Sequence, residues 1–314
     1  MHPLPDFVVA FGDAIRAAGL GSPKIQADGQ IHRFRGPEDK PGHPNSWYVL
    51  HPDSPPAGAF GNWRTGEKTN WCARPGGQLS DAERRLLKAN IAAARAAHDR
   101  TKLRNQQAAA ERARKLWAYA TPADPRHPYL VAKEIGPHGL RQNTNDRLLV
   151  PVTAGDELVS LQFIAPDGVK RFLTNGRTAG CFYQLPAARL PAPILIGEGL
   201  ATVATLVEVT GAPGVVAFNA GNLKSVAEAF RRRHPDAEII IAGDNDALTP
   251  GNPGATLARA AARAVGAKLL LPDFAAFDRP ASDWNDYVRL TRARTRAAPA
   301  NQTTRQEERE IRHD

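Results

Sequence analysis

Glu238-Ile-Ile-Ile-Ala-Gly-Asp-Asn-Asp246 is an apolar run that breaks at a glycine and ends in two acids. Three consecutive isoleucines suit a strand buried on both faces, which is the pattern of a parallel sheet covered by helices. Ile194-Leu-Ile-Gly-Glu198 repeats the arrangement upstream. Val215-Val-Ala-Phe218 and Lys268-Leu-Leu-Leu271 supply two more short apolar runs. Helical patterns over 200–209, 222–233 and 255–265 alternate with these strands, and a short helix is expected over 284–290. Strand and helix in alternation predict an α/β fold over 191–290, a parallel, Rossmann-like sheet with helices on its faces.

The rest of the chain reads outward from that segment. Ile31-His-Arg-Phe-Arg35, Trp47-Tyr-Val-Leu50 and Ala59-Phe-Gly-Asn-Trp63 are short strands between turn signals, so 1–75 is expected to be a small β-containing module. Ser80 and Glu83 have capping-box spacing, and the stretch to Tyr119 holds no Gly or Pro, so 76–120 reads as a long basic helical connector. Thr121-Pro-Ala-Asp-Pro-Arg-His-Pro128 breaks it. Over 121–190 a short helix from Tyr129 precedes hairpin strands at Arg147–Val152, Leu158–Ile164 and Lys170–Leu173, a mixed α+β lobe. Residues 291–314 are polar and charged and are expected to be a frayed tail.

Composition narrows the function classes. The 314 residues carry a net charge of +9, from 41 basic and 32 acidic side chains. The excess is uneven: 18 basic against 11 acidic over 1–120, but 9 against 11 over 191–290. A basic body with one acidic segment favours a polyanionic partner held apart from a site that needs carboxylates. Cys72 and Cys181 are the only cysteines, which excludes a disulfide scaffold or a multi-cysteine zinc ribbon and fits a reducing cytoplasm. Met1–Gly12 lacks the basic start and apolar stretch of a secretory signal, and no apolar run reaches the roughly 20 residues of a bilayer span. His32, His43, His51, His127 and His138 have no ligand-like spacing to either cysteine, so no zinc is expected. Gly251-Asn-Pro-Gly254 lacks the lysine of a phosphate-binding P-loop and reads as a helix start.

Open parallel sheets bind ligands beyond the carboxyl ends of their strands. Glu198, Asp244, Asp246 and Asp283 all follow a strand, so three chain-distant acidic clusters are placed on one edge. Carboxylates gathered there repel one another unless a cation neutralises them, and oxygen donors of this kind suit Mg²⁺ or Mn²⁺. Taken singly, Asp244-Asn-Asp246 is an acidic turn and Glu198 a helix-start carboxylate. Their joint occurrence at successive strand ends is what points to phosphoryl chemistry.

Glu198-Gly-Leu-Ala-Thr202 after one strand and Asp244-x-Asp246 after another resemble the Toprim domain of bacterial-type primases, topoisomerases and some nucleases. With Val216-Ala-Phe-Asn-Ala-Gly-Asn-Leu223, Gly251-Asn-Pro-Gly254 and Ser282-Asp-Trp-Asn-Asp286, the segment is most similar to primases of conjugative plasmids (TraC type) and satellite phages. The resemblance implies general acid/base or metal-ligand work for Glu198, Mg²⁺ ligation by Asp244 and Asp246, and a third acidic motif at Asp283. Thr202 stands where many bacterial primases carry a further acid, so it is not counted as a ligand. His127-Pro-Tyr-Leu130, Asp146–Val152, Lys170–Asn175 and Phe182-Tyr-Gln-Leu185 resemble the basic lobe that precedes Toprim in those enzymes. There the lobe and Toprim enclose a groove for template and nascent strand, which makes Arg147, Lys170, Arg171 and Arg177 the candidate phosphate contacts.

The implied activity is that of a DNA primase of plasmid or phage type. It would join ribonucleoside triphosphates into short RNA primers on single-stranded DNA, with a replicative helicase acting in trans, in the cytoplasm of a bacterial host and without a membrane. A Toprim nuclease would use the same metals, and a non-catalytic nucleic-acid-binding replication factor would use only the basic parts. A topoisomerase is disfavoured, since its tyrosine-bearing domain has no evident place. The zinc ribbon usual for template recognition is missing, and 1–75 is the segment that could replace it. There Trp63 and Arg64, with Trp71, Lys68 and Arg74, offer an aromatic and cationic platform for single strands. Core packing inside the β module is the plainer use of the same tryptophans.

Overall fold

The computed structural model describes residues 6–39, 42, 44–53, 55–74, 80–186, 193–277 and 281–297, with the side chains of 83, 87 and 94 left aside. Residues 298–314 of the expected tail, and the expected 190/191 boundary, lie outside that set. The chain divides into two compact units, Met1–Thr101 and Lys102–Asp314.

The first unit is a four-stranded antiparallel sheet under a helix. Strands β1 (His32–Phe34), β2 (Ser46–His51), β3 (Ala57–Asn62) and β4 (Lys68–Cys72) lie in that order across the sheet. Helix α1 (Asp6–Ala17) precedes them, in a stretch the Gly- and Pro-rich reading of 1–75 left without an element. Its Val8, Phe11 and Ile15 recur at helical spacing and are buried with Tyr48, Leu50 and Phe60. Asp39, only 4% exposed, ties the loop between β1 and β2. It accepts the backbone N–H groups of Gly36, Asn45 and Ser46 at 2.9, 3.0 and 3.2 Å, and these bonds hold its carboxyl far below the usual range.

Helix α2 (Asp81–Tyr119) is continuous over 39 residues. The Ser80 carbonyl accepts the Arg84 N–H at 2.9 Å where it begins, while the Glu83 half of the expected capping box lies outside the described side chains. Its last turns belong to the second unit, where Ala109, Ala110 and Ala113 are buried.

In the second unit, β5 (Thr121–Pro122), β6 (Arg141–Gln142), β7 (Leu148–Ala154), β8 (Glu157–Ile164) and β9 (Lys170–Phe172) form an antiparallel sheet in sequence order, with α3 (Pro128–Lys133) between β5 and β6. A second sheet follows from β10 (Tyr183–Gln184), β11 (Ile194–Gly197), β12 (Gly214–Val216), β13 (Ile239–Ala242) and β14 (Lys268–Leu270), in the order β10-β12-β11-β13-β14. Its last four strands are parallel, as the apolar runs predict. Phe182-Tyr-Gln-Leu185, read from sequence with the lobe, supplies instead the antiparallel edge of this sheet through β10. A backbone bridge between Thr153 and Phe182 joins the two sheets.

Helices α4 (Leu200–Thr210), α5 (Leu223–Arg233), α6 (Pro253–Val265) and α7 (Trp284–Ala297) cover the parallel sheet. Ile194, Ile196, Ile239 and Ile241 point to α5 and α6, whereas Leu195 and Ala242 pack with Leu206 of α4 and Trp284 of α7. Leu200, Val203 and Val207 of α4 share a core with Tyr129, Leu148, Val150 and Ile164, so the antiparallel sheet packs directly on the α/β segment. Helix α7 runs to Ala297, past the Thr291 at which the sequence reading placed the tail. The added residues contain no Gly or Pro and put Arg294 and Arg296 at a helix C-terminus, where the macrodipole favours cations. No described helix is long and apolar enough to cross a membrane.

The independence of the two units is testable through Phe11, which is fully buried and meets the rings of Tyr48, Phe60 and Trp71 at 6.0, 5.8 and 5.2 Å. Phe11→Ala is expected to cost about 3–5 kcal/mol, as truncating a buried phenylalanine does. Hydrogen exchange should accelerate at the amides of β2 and β3 and leave those of β11 and β13 protected. Equal loss of protection in both units would contradict the division.

Candidate active site at the carboxyl edge of the parallel sheet

Strand β11 ends at Gly197, where a Cβ would come within 2.7 Å of Val203, so the strand passes under α4 only as glycine. Glu198 follows, half-buried, and accepts the backbone N–H of Ala220. That amide comes from the loop after β12, which Ala217 anchors by donating its N–H to Gly197 O at 2.8 Å. Phe218 in this loop has a φ of 71°, a left-handed conformation that costs a bulky residue about 1–3 kcal/mol. It is held there by edge-on contact with Phe172, ring centroids 5.7 Å apart. Asn222 locks the loop further. Its Nδ2 donates to Cys181 O and Ala217 O at 2.8 and 2.9 Å, and its Oδ1 accepts the Gly180 N–H at 2.8 Å.

Strand β13 ends at Ala242, and the Asp244-Asn245-Asp246 turn that follows is fixed by its asparagine. Asn245 donates its backbone N–H to Ser282 O at 2.7 Å and Nδ2 to Pro272 O at 2.9 Å. It accepts from Asn252 Nδ2 at 2.8 Å, and Asn252 also caps α6. A Cβ on Gly254 would lie 2.8 Å from Asp246 Oδ2 and 2.9 Å from Asp244 O, so the start of α6 is pressed against the turn. Asp283 caps α7 through Oδ1, which accepts the Asp286 N–H at 2.8 Å. Asn285 of the same motif is 1% exposed and donates to Lys133 O and Thr205 Oγ1 at 2.6 and 2.8 Å. The Ser282–Asp286 motif therefore clamps α7 to α3 and α4 while holding one acid at the edge.

These elements bring Glu198, Asp244, Asp246 and Asp283 into one electrostatic field. Burial, then Glu198, Asp283 and Asp246, push the Asp244 carboxyl up to about 7, against the opposing hydrogen bond that Thr202 Oγ1 donates at 3.3 Å. Burial raises Glu198 as well, with Asp246 adding to it and the Ala220 N–H and Lys170 opposing. Lys170, on β9, enters the same field. Crowding by protein and then Lys133 lower its proton affinity, whereas Asp283, Asp244 and Glu198 raise it. Its Nζ stands 5.7 Å from the centroid of the Tyr129 ring, whose hydroxyl is buried without a hydrogen-bond partner.

Among the described residues, no three His, Cys, Asp or Glu side chains stand close enough to form a metal shell by themselves. The donor set nevertheless fits a hard cation in kind. All its donors are carboxylate oxygens, and Mg²⁺ keeps several waters, so it needs only one or two protein carboxylates. A divalent charge would also relieve the repulsion that lifts Asp244.

The four candidate phosphate contacts do not form one surface. Residues 170 and 171 point to opposite faces of β9. Lys170 pairs across the sheet with Ile164, on the face that meets α3 and α4, and Arg171 with Phe163, on the face that meets α2. Arg171, Arg147 and Phe163 line a pocket of about 280 Å³ with Ala165, Asp167 and Val169. Arg177 is exposed in a loop and donates Nε to Ala179 O at 3.3 Å. In the first unit, Trp63 is half-exposed, Arg64 is paired with Glu38 at 2.8 Å, and Trp71 packs on Phe11 as part of the core. Sequence reasoning did not single out Tyr129, Phe218, Asn222 or Asn245. Each lies inside a quoted motif, Tyr129 in His127–Leu130, Phe218 and Asn222 in Val216–Leu223 and Asn245 between two acids, but nothing local marks its individual role.

Residues 193–293 match the family model described as Toprim domain. Over 279 residues the chain is 37% identical to a DNA primase TraC of Escherichia coli, covering 84% of this chain and 26% of that protein. A second DNA primase TraC of Escherichia coli is 36% identical over 282 residues, covering 84% of this chain and 19% of the relative. The chain thus spans about a quarter or less of the length of these curated relatives. A chain from the structure of bacteriophage T7 lagging-strand DNA polymerase with primase domains of two gp4 subunits aligns over 51% of this chain and 69% of its own length, at 16% identity and a TM-score of 0.34. A likeness that low says nothing about mechanism.

The electrostatics of the edge set a pH test. A carboxyl raised from 3.8 to about 7 favours the protonated folded state, so without metal its contribution to stability falls as pH rises from about 4 to about 7 and stays lost above that. Asp244→Asn removes the ionisation. In EDTA it should stabilise the protein by about 1–3 kcal/mol at pH 8 and by little at pH 4. Denaturant unfolding at the two pH values measures this, and an equal effect at both would contradict the coupling.

Proposed function

We propose that the chain is a DNA primase of plasmid or phage type, and that its acidic edge joins ribonucleoside triphosphates into short RNA primers on a single-stranded DNA template. The observation that carries the reading is the placement of Glu198, Asp244, Asp246 and Asp283 after three parallel strands of one sheet, where burial and then the neighbouring acids raise the Asp244 carboxyl. Such a cluster suits a cation-dependent reaction at phosphate. The likeness to DNA primase TraC supports polymerisation rather than cleavage. On this reading 121–190 is a basic lobe beside a Toprim segment over 191–290, with 1–75 and the helical connector over 76–120 ahead of it.

Asp244 and Asp246 would hold Mg²⁺, with Asp283 beside them. A bound divalent ion supplies charge stabilisation for attacking and leaving oxygens. Glu198, raised by burial and oriented by the Ala220 N–H, takes the proton of the attacking 3′-hydroxyl. Lys170 offsets the repulsion between these carboxylates and the incoming triphosphate. Thr202 holds Asp244 in its orientation. Phosphoryl transfer depends mostly on positioning and charge, so these groups account for most of the expected rate.

The test is primer synthesis by the full chain on single-stranded templates with ribonucleoside triphosphates and Mg²⁺ or Mn²⁺. Asp244→Ala and Glu198→Gln should each lower it by about 10²–10⁴-fold with unchanged circular dichroism. Synthesis retained by both variants would remove these residues from the mechanism. Metal-dependent cleavage of labelled DNA in place of synthesis would assign the same residues to a nuclease.

A further inference from the structure

Helix α1 covers one face of the N-terminal sheet, through Phe11 against Tyr48, Phe60 and Trp71. Strand alternation sends the neighbouring residues to the other face. There Arg33 lies beside Trp47, Trp47 beside Gly61 and Gly61 beside Lys68, one line across all four strands. Gly61 adds no side chain to that line, and a Cβ there would run into the backbone oxygen of Glu67. Trp63, just past β3, is pinned by its N–H to Asn45 O at 3.0 Å. Its ring stacks on Trp47, centroids 5.7 Å apart and planes 26° from parallel, and the Arg33 guanidinium sits 4.4 Å from its centroid. Trp63 is still 47% exposed. A tryptophan kept rigid by an arginine and a second tryptophan, yet half open to solvent, is not a core residue.

The charges on this face differ from those around it. Arg64 is paired with Glu38, and Arg35 donates to Asp39 O. Among the described residues, no carboxylate is paired with Arg33 or Lys68, which are both exposed. Arg33, seated on the Trp63 ring, and Lys68 therefore bring charge without a paired carboxylate to the two ends of this line.

We propose that this face binds single-stranded nucleic acid, stacking bases on Trp63 and Trp47 and placing phosphates against Arg33 and Lys68. A free π-face accepts an unstacked base of any identity, whereas duplex bases are already stacked. Three strand spacings separate β1 from β4, about 14 Å, which suits a strand rather than a single nucleotide. The choice of nucleic acid as the polyanion rests on the primase reading above; the geometry of the face does not. The surface differs from the one expected around Trp63, Arg64 and Trp71, because Trp71 is in the core and Arg64 is paired.

Anisotropy of a labelled oligodeoxythymidylate with the full chain tests the proposal, in parallel with cross-linking by a bromodeoxyuridine oligonucleotide mapped by mass spectrometry. Trp63→Ala should weaken oligonucleotide binding about 5–100-fold, the loss expected for one stacked base. Trp63→Phe should recover part of it, and Arg33→Gln should weaken binding and reduce its salt dependence. Cross-links should fall on Trp63 or Trp47, ATP binding should not change, and thermal midpoints should match the parent. Unchanged affinity in Trp63→Ala and Arg33→Gln, with cross-links elsewhere, would overturn the proposal. If the parent makes primers and the variants bind normally, only this face is wrong. If the parent makes none and Trp63→Ala still weakens binding, the face stands and the primase reading falls.

Discussion

Like charges that have to coexist set the design of the second unit. A parallel sheet delivers every strand to the same edge, and in this chain Glu198, Asp244 and Asp283 each follow a different strand of it. Burial, and then the repulsion of the neighbouring acids, raises Asp244 to about 7, so the edge is held together by the fold and against its own electrostatics. Such stress persists only where the surrounding backbone is over-determined.

The surrounding residues supply that constraint. Asn245 and Asn252 fix the turn after β13, Asn222 fixes the loop that orients Glu198, and Asn285 ties α7 to α3 and α4. Each is a neutral amide that hydrogen-bonds backbone or side-chain groups around the edge, and none adds charge to an acidic region. Gly197, Gly243 and Gly254 let strand ends and helix starts approach closely. A Cβ on Gly243, for example, would stand 2.5 Å from that of Ala258. Lys170 brings one cation from the antiparallel sheet, which shares its core with α4.

Much of this is legible in the sequence, for a physical reason. Buried parallel strands write themselves as apolar runs, so Ile194–Gly197 and Ile239–Ala242 and the acids that follow them can be placed without coordinates. Helix α1 was hidden because Val8, Phe11 and Ile15 form a short stripe in a segment dominated by Gly and Pro signals. The edge strand Tyr183–Gln184 is only two residues long and owes its place to β12, not to its own pattern. The positive φ of Phe218 and the links of Asn222 are tertiary facts with no local period. The four basic candidates rest on charge and resemblance, and spacing along the chain does not reveal that Lys170 and Arg171 face opposite sides. Trp63 and Trp71 looked alike in sequence and are separated by strand register.

The central claim is that the clustered carboxylates form a site whose charge calls for a divalent cation. Calorimetric titration of Mn²⁺ into the parent protein, repeated in buffers of different ionisation enthalpy, measures this directly. A carboxyl near 7 is about half protonated at pH 7. Saturable binding should therefore release roughly half a proton per ion at pH 7 and almost none at pH 9, since metal ligands must be deprotonated. Absence of saturable binding, or binding with the same proton release at both pH values, would contradict the account.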